Sequence, residues 1–350
     1  MNFLKLIKKN MIIAVAMGIS SSVAAQEDEG LLIGGSVDTY YTYDFSGSQN
    51  IGTSFAGGVG GSNAVSLGMI DLTMSHSVGK ASFFGEVSFG DRSTESIGSL
   101  VGIQNLYMTY AFSESFSMTA GYMGTFVGYE VIAPTGNFNY STSYLFTNGP
   151  FQNAGIKANY NFSDKLDVMV GLFNDWNVYG AEGDTDGVSD LGIQVYFAPV
   201  DGWDVYLNTV ISGQSETTSN GTDGTIFDIT TGYQITENFY LGLNAADRTY
   251  ADSDLGGYSG VAIYPQLALG DIFSLGFRLE SYKTKEVKAV TDSYSILSNT
   301  LTGKFTLDQM TFLAEFRLDS DSDEVGGFVD ADGATASSAS QISLAAVDSF

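Results

Sequence analysis

Strict alternation of apolar and polar residues, sustained over nearly the whole chain, constrains this protein more than any other feature. Trp203, Val205, Leu207, Thr209 and Ile211 fall on one face of their segment, with Asp204, Tyr206, Asn208 and Ser212 on the other. Met310, Phe312, Ala314, Phe316 and Leu318 oppose Thr311, Glu315, Arg317 and Asp319. Phe273, Leu275, Phe277 and Leu279 oppose Arg278, Glu280 and Tyr282. A period of two means extended strands with one greasy face. In water such a face needs a second layer to cover it; in a bilayer, hydrocarbon covers it.

The pattern divides into sixteen segments: 31–45, 64–78, 80–90, 101–112, 116–128, 151–162, 166–177, 188–198, 203–213, 225–235, 239–250, 258–269, 272–283, 293–305, 310–319 and 340–350. Alternation is most blurred in the second and the last. The connections alternate too. Tight turns such as Val78-Gly79-Lys80, Ser163-Asp164-Lys165 and Gly270-Asp271 take turns with longer glycine-rich or acidic loops. The expected fold is all-β: a transmembrane antiparallel up-and-down barrel of about 16 strands, with short periplasmic turns and long extracellular loops.

Aromatic residues mark the boundaries of the apolar band. Phe112, Phe162, Phe197, Trp203, Tyr233, Phe239, Phe273 and Phe305 all flank short turns on the apolar face, as a lower interfacial girdle should. Tyr43, Phe45, Phe126 and Trp176 are expected in the upper girdle. The chain ends on Phe350 after Ile342 and Leu344 at even offsets, the kind of terminal aromatic that barrel-assembly machinery reads.

The first 25 residues read as a secretory signal peptide. Lys5, Lys8 and Lys9 precede an apolar run from Met11 to Ile19, and Val23-Ala24-Ala25 fits a small-x-small cleavage site. That run is shorter than the roughly 20 residues a spanning helix needs. Residues 26–350 are then a single barrel domain, with no room for an N-terminal plug of the kind a gated receptor carries. The net charge of −26 argues against nucleic acid, whose phosphates need a basic face. With no cysteine, thiolate metal sites are excluded. Glycine is plentiful (42) and proline scarce (4), a balance that suits many strands and turns.

GGSVDTYYTYDF (34–45) resembles the first strand of the second β-barrel porin family, the OmpL-like porins. NFNYSTSYLFTNGPFQNAGIKANYNFSDKLDVMVGLFNDW (137–176) is similar to that family's middle section. There an aromatic, serine-rich loop precedes a strand, a short Asp-Lys turn, and a strand ending in Asn-x-Trp. The resemblance implies an outer-membrane porin: a passive diffusion channel for small hydrophilic solutes or ions, set in outer-membrane lipid. A homotrimer is the usual assembly for sixteen strands, although no flat apolar interface is marked in the sequence.

Sixteen strands about 4.8 Å apart and tilted roughly 40° enclose a barrel about 30 Å across, too wide for wall side chains alone to fill. The inward faces would line it with Asp38, Asp44, Glu86, Lys157, Asp167, Asp204, Asp228, Arg248, Arg278, Glu280, Glu315 and Arg317. Arg248, Arg278 and Arg317 are expected at similar heights, on strands eleven, thirteen and fifteen. The loop 129–150 carries Tyr129, Glu130, Asn137, Tyr140 and Tyr144, and is expected to fold inward and narrow the pore. The arginine wall would face it and set a transverse field. The competing expectation pairs Arg278 with Glu280 and Arg317 with Glu315.

Other chemistries find less support. Asp319, Asp321 and Asp323 have the alternate spacing of calcium ligands, as do Asp184 and Asp186, but neither run completes a calcium-loop pattern. They read as a solvated acidic rim. No cofactor is expected. His76, beside a short turn, has no nucleophile to activate at that level, so catalysis is not expected. Gly57 to Gly61 lacks the lysine and strand-to-helix setting of a phosphate cradle. The alternative function is an occluded barrel that acts as a surface receptor or adhesin through its acidic loops. The purified mature chain should require detergent; if it stays soluble and monomeric without it, the sidedness read here is wrong.

Overall fold

The computed structural model describes residues 26–45, 51, 63–97, 102–175, 187–212, 224–288, 292–321, 324 and 327–350. The expected signal peptide, the glycine run Gly57–Gly61, Trp176, Asp184, Asp186 and Asp323 lie outside the described residues.

Sixteen antiparallel strands run in sequence order around one closed barrel. They are β1 (Gln26–Asp44), β2 (Ala64–Gly79), β3 (Ala81–Phe89), β4 (Ile103–Ala111), β5 (Phe116–Gly124), β6 (Gln152–Ser163), β7 (Leu166–Asn174) and β8 (Val188–Phe197), followed by β9 (Trp203–Ile211), β10 (Gly224–Gln234), β11 (Phe239–Tyr250), β12 (Gly257–Ala268), β13 (Phe273–Lys285), β14 (Ser295–Leu307), β15 (Met310–Ser320) and β16 (Ser338–Ser349). Closure is made by β1 against β16, in register from Ser36 opposite Ser349 to Asp44 opposite Gln341. The Phe350 and Gly35 backbones exchange two hydrogen bonds of 3.1 Å at the end of that seam. β1 starts at Gln26, earlier than its alternation announces, because β2 alone pairs with its first residues.

The blurred alternation of β2 has a structural cause. A register shift opposite Val37–Thr39 changes which residues point outward, from Val65 and Leu67 to Ile70 and Met74. In β16, Ala345 and Val347 point inward, where they pack with Tyr40, Leu313 and Tyr140. β5 ends at Gly124, four residues before the sequence suggests, and this moves Phe126. Phe126 was expected in the upper girdle but is buried inside the barrel, 5.8 Å from Phe173. Tyr43 and Phe45 do face outward and touch edge to face. So do Phe112, Phe162, Trp203 and Phe305 near the short turns.

Leu301 stands outward and exposed midway along β14. A cation at the middle of the hydrocarbon costs about 2–4 kcal/mol. Leu301→Arg should lower stability by that amount in urea unfolding from lipid vesicles, whereas Leu301→Ala should cost less.

Candidate functional site

Residues 125–151 leave the wall after β5 and rejoin it at β6, and they lie inside the barrel. Their base is pinched. Gly124 N–H donates to Asn105 Oδ1 (2.6 Å), and Thr125 N–H donates to Phe151 O (3.0 Å). Gly128, at φ +93, turns the chain where a side chain would be strained, and its N–H donates to Asp228 Oδ1 on β10 (3.2 Å). A bend follows at Pro134. The Asn137 amide closes it, accepting from Val131 N–H (3.0 Å) and donating to Val131 O (2.6 Å).

Beyond the bend the loop lies on the wall formed by β13, β14, β15 and β1. Three carboxylates take its backbone amides in adjacent pairs or with a side chain. Glu315 accepts from Tyr140 and Ser141 N–H (2.7 and 3.0 Å), and Glu280 accepts from Tyr144 and Leu145 N–H (2.9 and 2.8 Å). Glu130, within the loop, accepts from both N–H and Oγ–H of Ser143 (2.7 and 2.5 Å). Two arginines take the carbonyls. Arg278 donates to Ser141 O (2.5 Å) and pairs with Glu130 (2.8 Å), while Arg317 donates to Thr142 O (2.7 Å) and pairs with Asp319 (2.9 Å). Tyr140 donates to Asp38 Oδ2 (2.5 Å) and Tyr144 to Asp319 Oδ2 (2.7 Å). Burial pushes both phenols well above the usual tyrosine range, so they remain neutral donors. Ser143 caps the short helix α2 (Tyr144–Thr147) by accepting from Phe146 N–H.

Glycines on the inward face seat the loop's larger side chains. A methyl group at Gly276 would collide with the Phe138 ring, and one at Gly242 with Tyr129. One at Gly192 would come 2.7 Å from Phe126, and one at Gly260 would come 3.0 Å from Leu145. Tyr129 also stacks on Tyr264, centroids 4.2 Å apart. A further anchor comes from the loop between β3 and β4. Its helix α1 (Asp91–Ile97) carries Arg92, fully buried, with Nη2 donating to Tyr140 O (2.7 Å) and the guanidinium over the Tyr140 ring (4.8 Å).

Among the described residues, the loop around Val131 to Gly136 parts two cavities inside the barrel. The larger, about 790 Å³, is lined by Asp71, Glu86, Glu114, Lys157 and Asp308 among others. The smaller, about 220 Å³, is lined by Asp204, Tyr206, Gln266, Lys304 and several loop aromatics.

All twelve charged residues assigned to the inward face do point inward, but they divide into groups. Glu86, Lys157 and Asp204 border the cavities. Asp228 accepts from the amides of Asn208 and Asn244 and from Gly128, while Asp167 is buried near Asn159. Asp38 and Asp44 are buried on β1. Arg278, Glu280 and Arg317 are 0% exposed. The open arginine wall expected across from the loop is therefore corrected: the loop rests directly on it. Neither expected same-face pair forms either, since Arg278 pairs with Glu130 and Arg317 with Asp319. Arg278 and Arg317 flank Thr300 in register. Arg248 aligns instead with Tyr258 and then Thr284, toward the extracellular end of β13, and stands against Tyr250. Asp319, a calcium candidate, is held by Arg317, and Asp321 is buried.

The sequence reading missed Arg92 and the glycine seats. The glycines carried a signal: at inward positions of strands otherwise rich in large residues, they ask what fills the gap. Arg92 carried none.

A closed barrel with apolar residues outside, polar residues inside and a long loop folded into the interior defines an outer-membrane channel. The family model described as "Putative beta-barrel porin-2, OmpL-like" matches residues 30–350, and the chain belongs to that porin family. It is a passive diffusion channel of the bacterial outer membrane. No curated protein matches the sequence. Among solved structures, the chain is similar to OmpF of Salmonella typhi in complex with daunomycin (12% identity, TM-score 0.64, 93% of this chain and 100% of that one). It is also similar to OprB of Pseudomonas putida (11%, 0.63, 92% and 94%) and to the outer membrane channel DcaP of Acinetobacter baumannii (12%, 0.61, 91% and 97%). At these identities the fold is what is shared.

Gly276→Ala should displace Phe138 and shift the loop while leaving the barrel folded. The expected result is an altered single-channel conductance in planar bilayers with an unchanged heat-modifiable gel shift.

Proposed function

We propose that the loop 129–150 is the constriction of this channel and that solutes pass beside it through the two cavities. The observation that carries this is the docking of the loop on buried carboxylates and arginines, which fixes it against one wall and leaves polar space elsewhere. Small hydrophilic solutes fit such a path, and passage is limited by size. Glu280 and Glu315 each hold two loop amides. Hydrogen bonds to a charged group are worth about 1.5–3 kcal/mol. Glu280→Gln together with Glu315→Gln should release the loop, raising single-channel conductance and letting larger sugars swell liposomes. Unchanged conductance and size limit in the folded double variant would remove the loop from this role.

Asp71 and Glu86 set the charge of the larger cavity, with Lys157 as its counterweight. Acidic linings favour cations. Asp71→Asn with Glu86→Gln should reduce the cation-over-anion permeability ratio, read from reversal potentials in a potassium chloride gradient. An unchanged ratio would place the selective charge elsewhere. The protein works without catalysis in this reading. His76 stands on the lipid-facing row of β2, edge-on to Phe83 at 6.2 Å. Assembly as a homotrimer is part of the proposal, and light scattering of the detergent-solubilised protein checks it.

A further inference from the structure

Cations are scarce here, and their placement is uneven. The chain has 14 lysines and arginines against 40 acids. Lys5, Lys8 and Lys9 precede the described residues, and Lys80 and Lys165 sit at short periplasmic turns. Arg92, Lys157, Arg248, Arg278, Lys304 and Arg317 lie inside the barrel. That leaves Lys283, Lys285 and Lys288, all at one place: the extracellular end of β13 and the loop that follows.

Lys283 and Lys285 project outward, because Tyr282, next to Lys283 in the strand, is buried on the inward face and Thr284 between the lysines shares its parity. Lys285 Nζ donates to Asp247 Oδ1 (2.8 Å) and to Thr249 Oγ1 (2.7 Å) on β11. Lys288 pairs with Asp254 (2.7 Å). Lys283 is exposed and has no ion pair among the described residues.

Just below these lysines the outer face is hollowed. Ala245, Ser259 and Ser281 are small, while Phe227, Leu207 and Ile229 stand out beside them. The hollow measures about 830 Å³ and reaches Asp247 and Lys283 at its upper end. Its lower lining is apolar, and its upper end offers hydroxyls and ammonium groups. A lysine on a lipid-facing strand sends its charge toward the headgroups and lays its stem on apolar surface. On a barrel this acidic, an anionic headgroup is repelled by most of the extracellular rim and attracted at this place.

We propose that the furrow on the outer face of β8–β13, headed by Lys283 and Lys285, binds a phosphorylated saccharolipid of the outer leaflet. An acyl chain lies in the furrow, and a phosphate sits on the two lysines. Lys283 is the leading contact, since Asp247 already shares Lys285. The site is separate from the solute path and does not depend on how that path is read.

Native mass spectrometry of the detergent-solubilised barrel, titrated with bisphosphorylated lipid A, tests this. The wild type should retain lipid A and hold its dephosphorylated counterpart more weakly. Lys283→Ala should weaken binding about fivefold, and Lys283→Ala with Lys285→Ala should weaken it further, at about fivefold per lysine. Ala245→Leu fills the furrow at a position paired with Ile229 and Val261, away from both lysines, and should weaken binding as well. Lys80→Ala with Lys165→Ala should leave it unchanged. Conductance in potassium chloride should stay at the wild-type level throughout, which shows that every variant still forms the folded channel. Equal retention of the dephosphorylated lipid, or undiminished binding by the double lysine variant, would overturn the site. Phosphatidylglycerol binding as tightly as lipid A would overturn the assignment to that lipid.

Discussion

Closure of the backbone hydrogen-bond ladder is the constraint on which everything else in this protein rests. In hydrocarbon there is no water to satisfy a free N–H or C=O, and each one left unpaired costs several kcal/mol. A sheet can cross a bilayer only if its first and last strands meet. Here β1 and β16 do so over nine paired positions from Ser36 to Asp44, and Phe350 finishes the seam on Gly35. Once the sheet is closed, each residue has one of two environments. The alternation of side chains then sorts lipid from interior, and charge has to go inward.

That inward charge creates a second problem, which the loop between β5 and β6 answers. Removing one partner from a buried ion pair costs about 3–5 kcal/mol, so the interior acids and arginines need partners. Glu280, Glu315, Arg278 and Arg317 find them in backbone amides and carbonyls of the loop rather than in one another. The same contacts give the loop a fixed position. Backbone groups of residues 140–145, which would be solvated in a free loop, become the complement of the wall. The glycines at 192, 242, 260 and 276 let the loop come that close, because any side chain there would occupy the space of Phe126, Tyr129, Leu145 or Phe138.

The interior is therefore divided. One wall is covered, and its buried charged groups are hydrogen-bonded to the loop. The space near Asp71, Glu86 and Lys157 stays open. A residue's inward direction is thus insufficient to place it on a solute path. Arg278 and Lys157 both point inward, but one is sealed beneath the loop and the other borders a cavity.

By itself the sequence determined the barrel, its sixteen strands, the inward direction of every charged strand residue named, and the loop whose length and composition set it apart. Those follow from period-two alternation and turn chemistry, which act between near neighbours. It blurred at β2, where a register shift changes parity, and it misplaced Phe126, where β5 stops early. Tertiary structure alone decided which charges meet. Arg278 joins Glu130 across 148 positions of chain, and Glu315 joins Tyr140 across 175. Alternation states which side of the wall a residue occupies. It carries no information about what a distant loop lays on top of it, and only the folded chain brings those groups together.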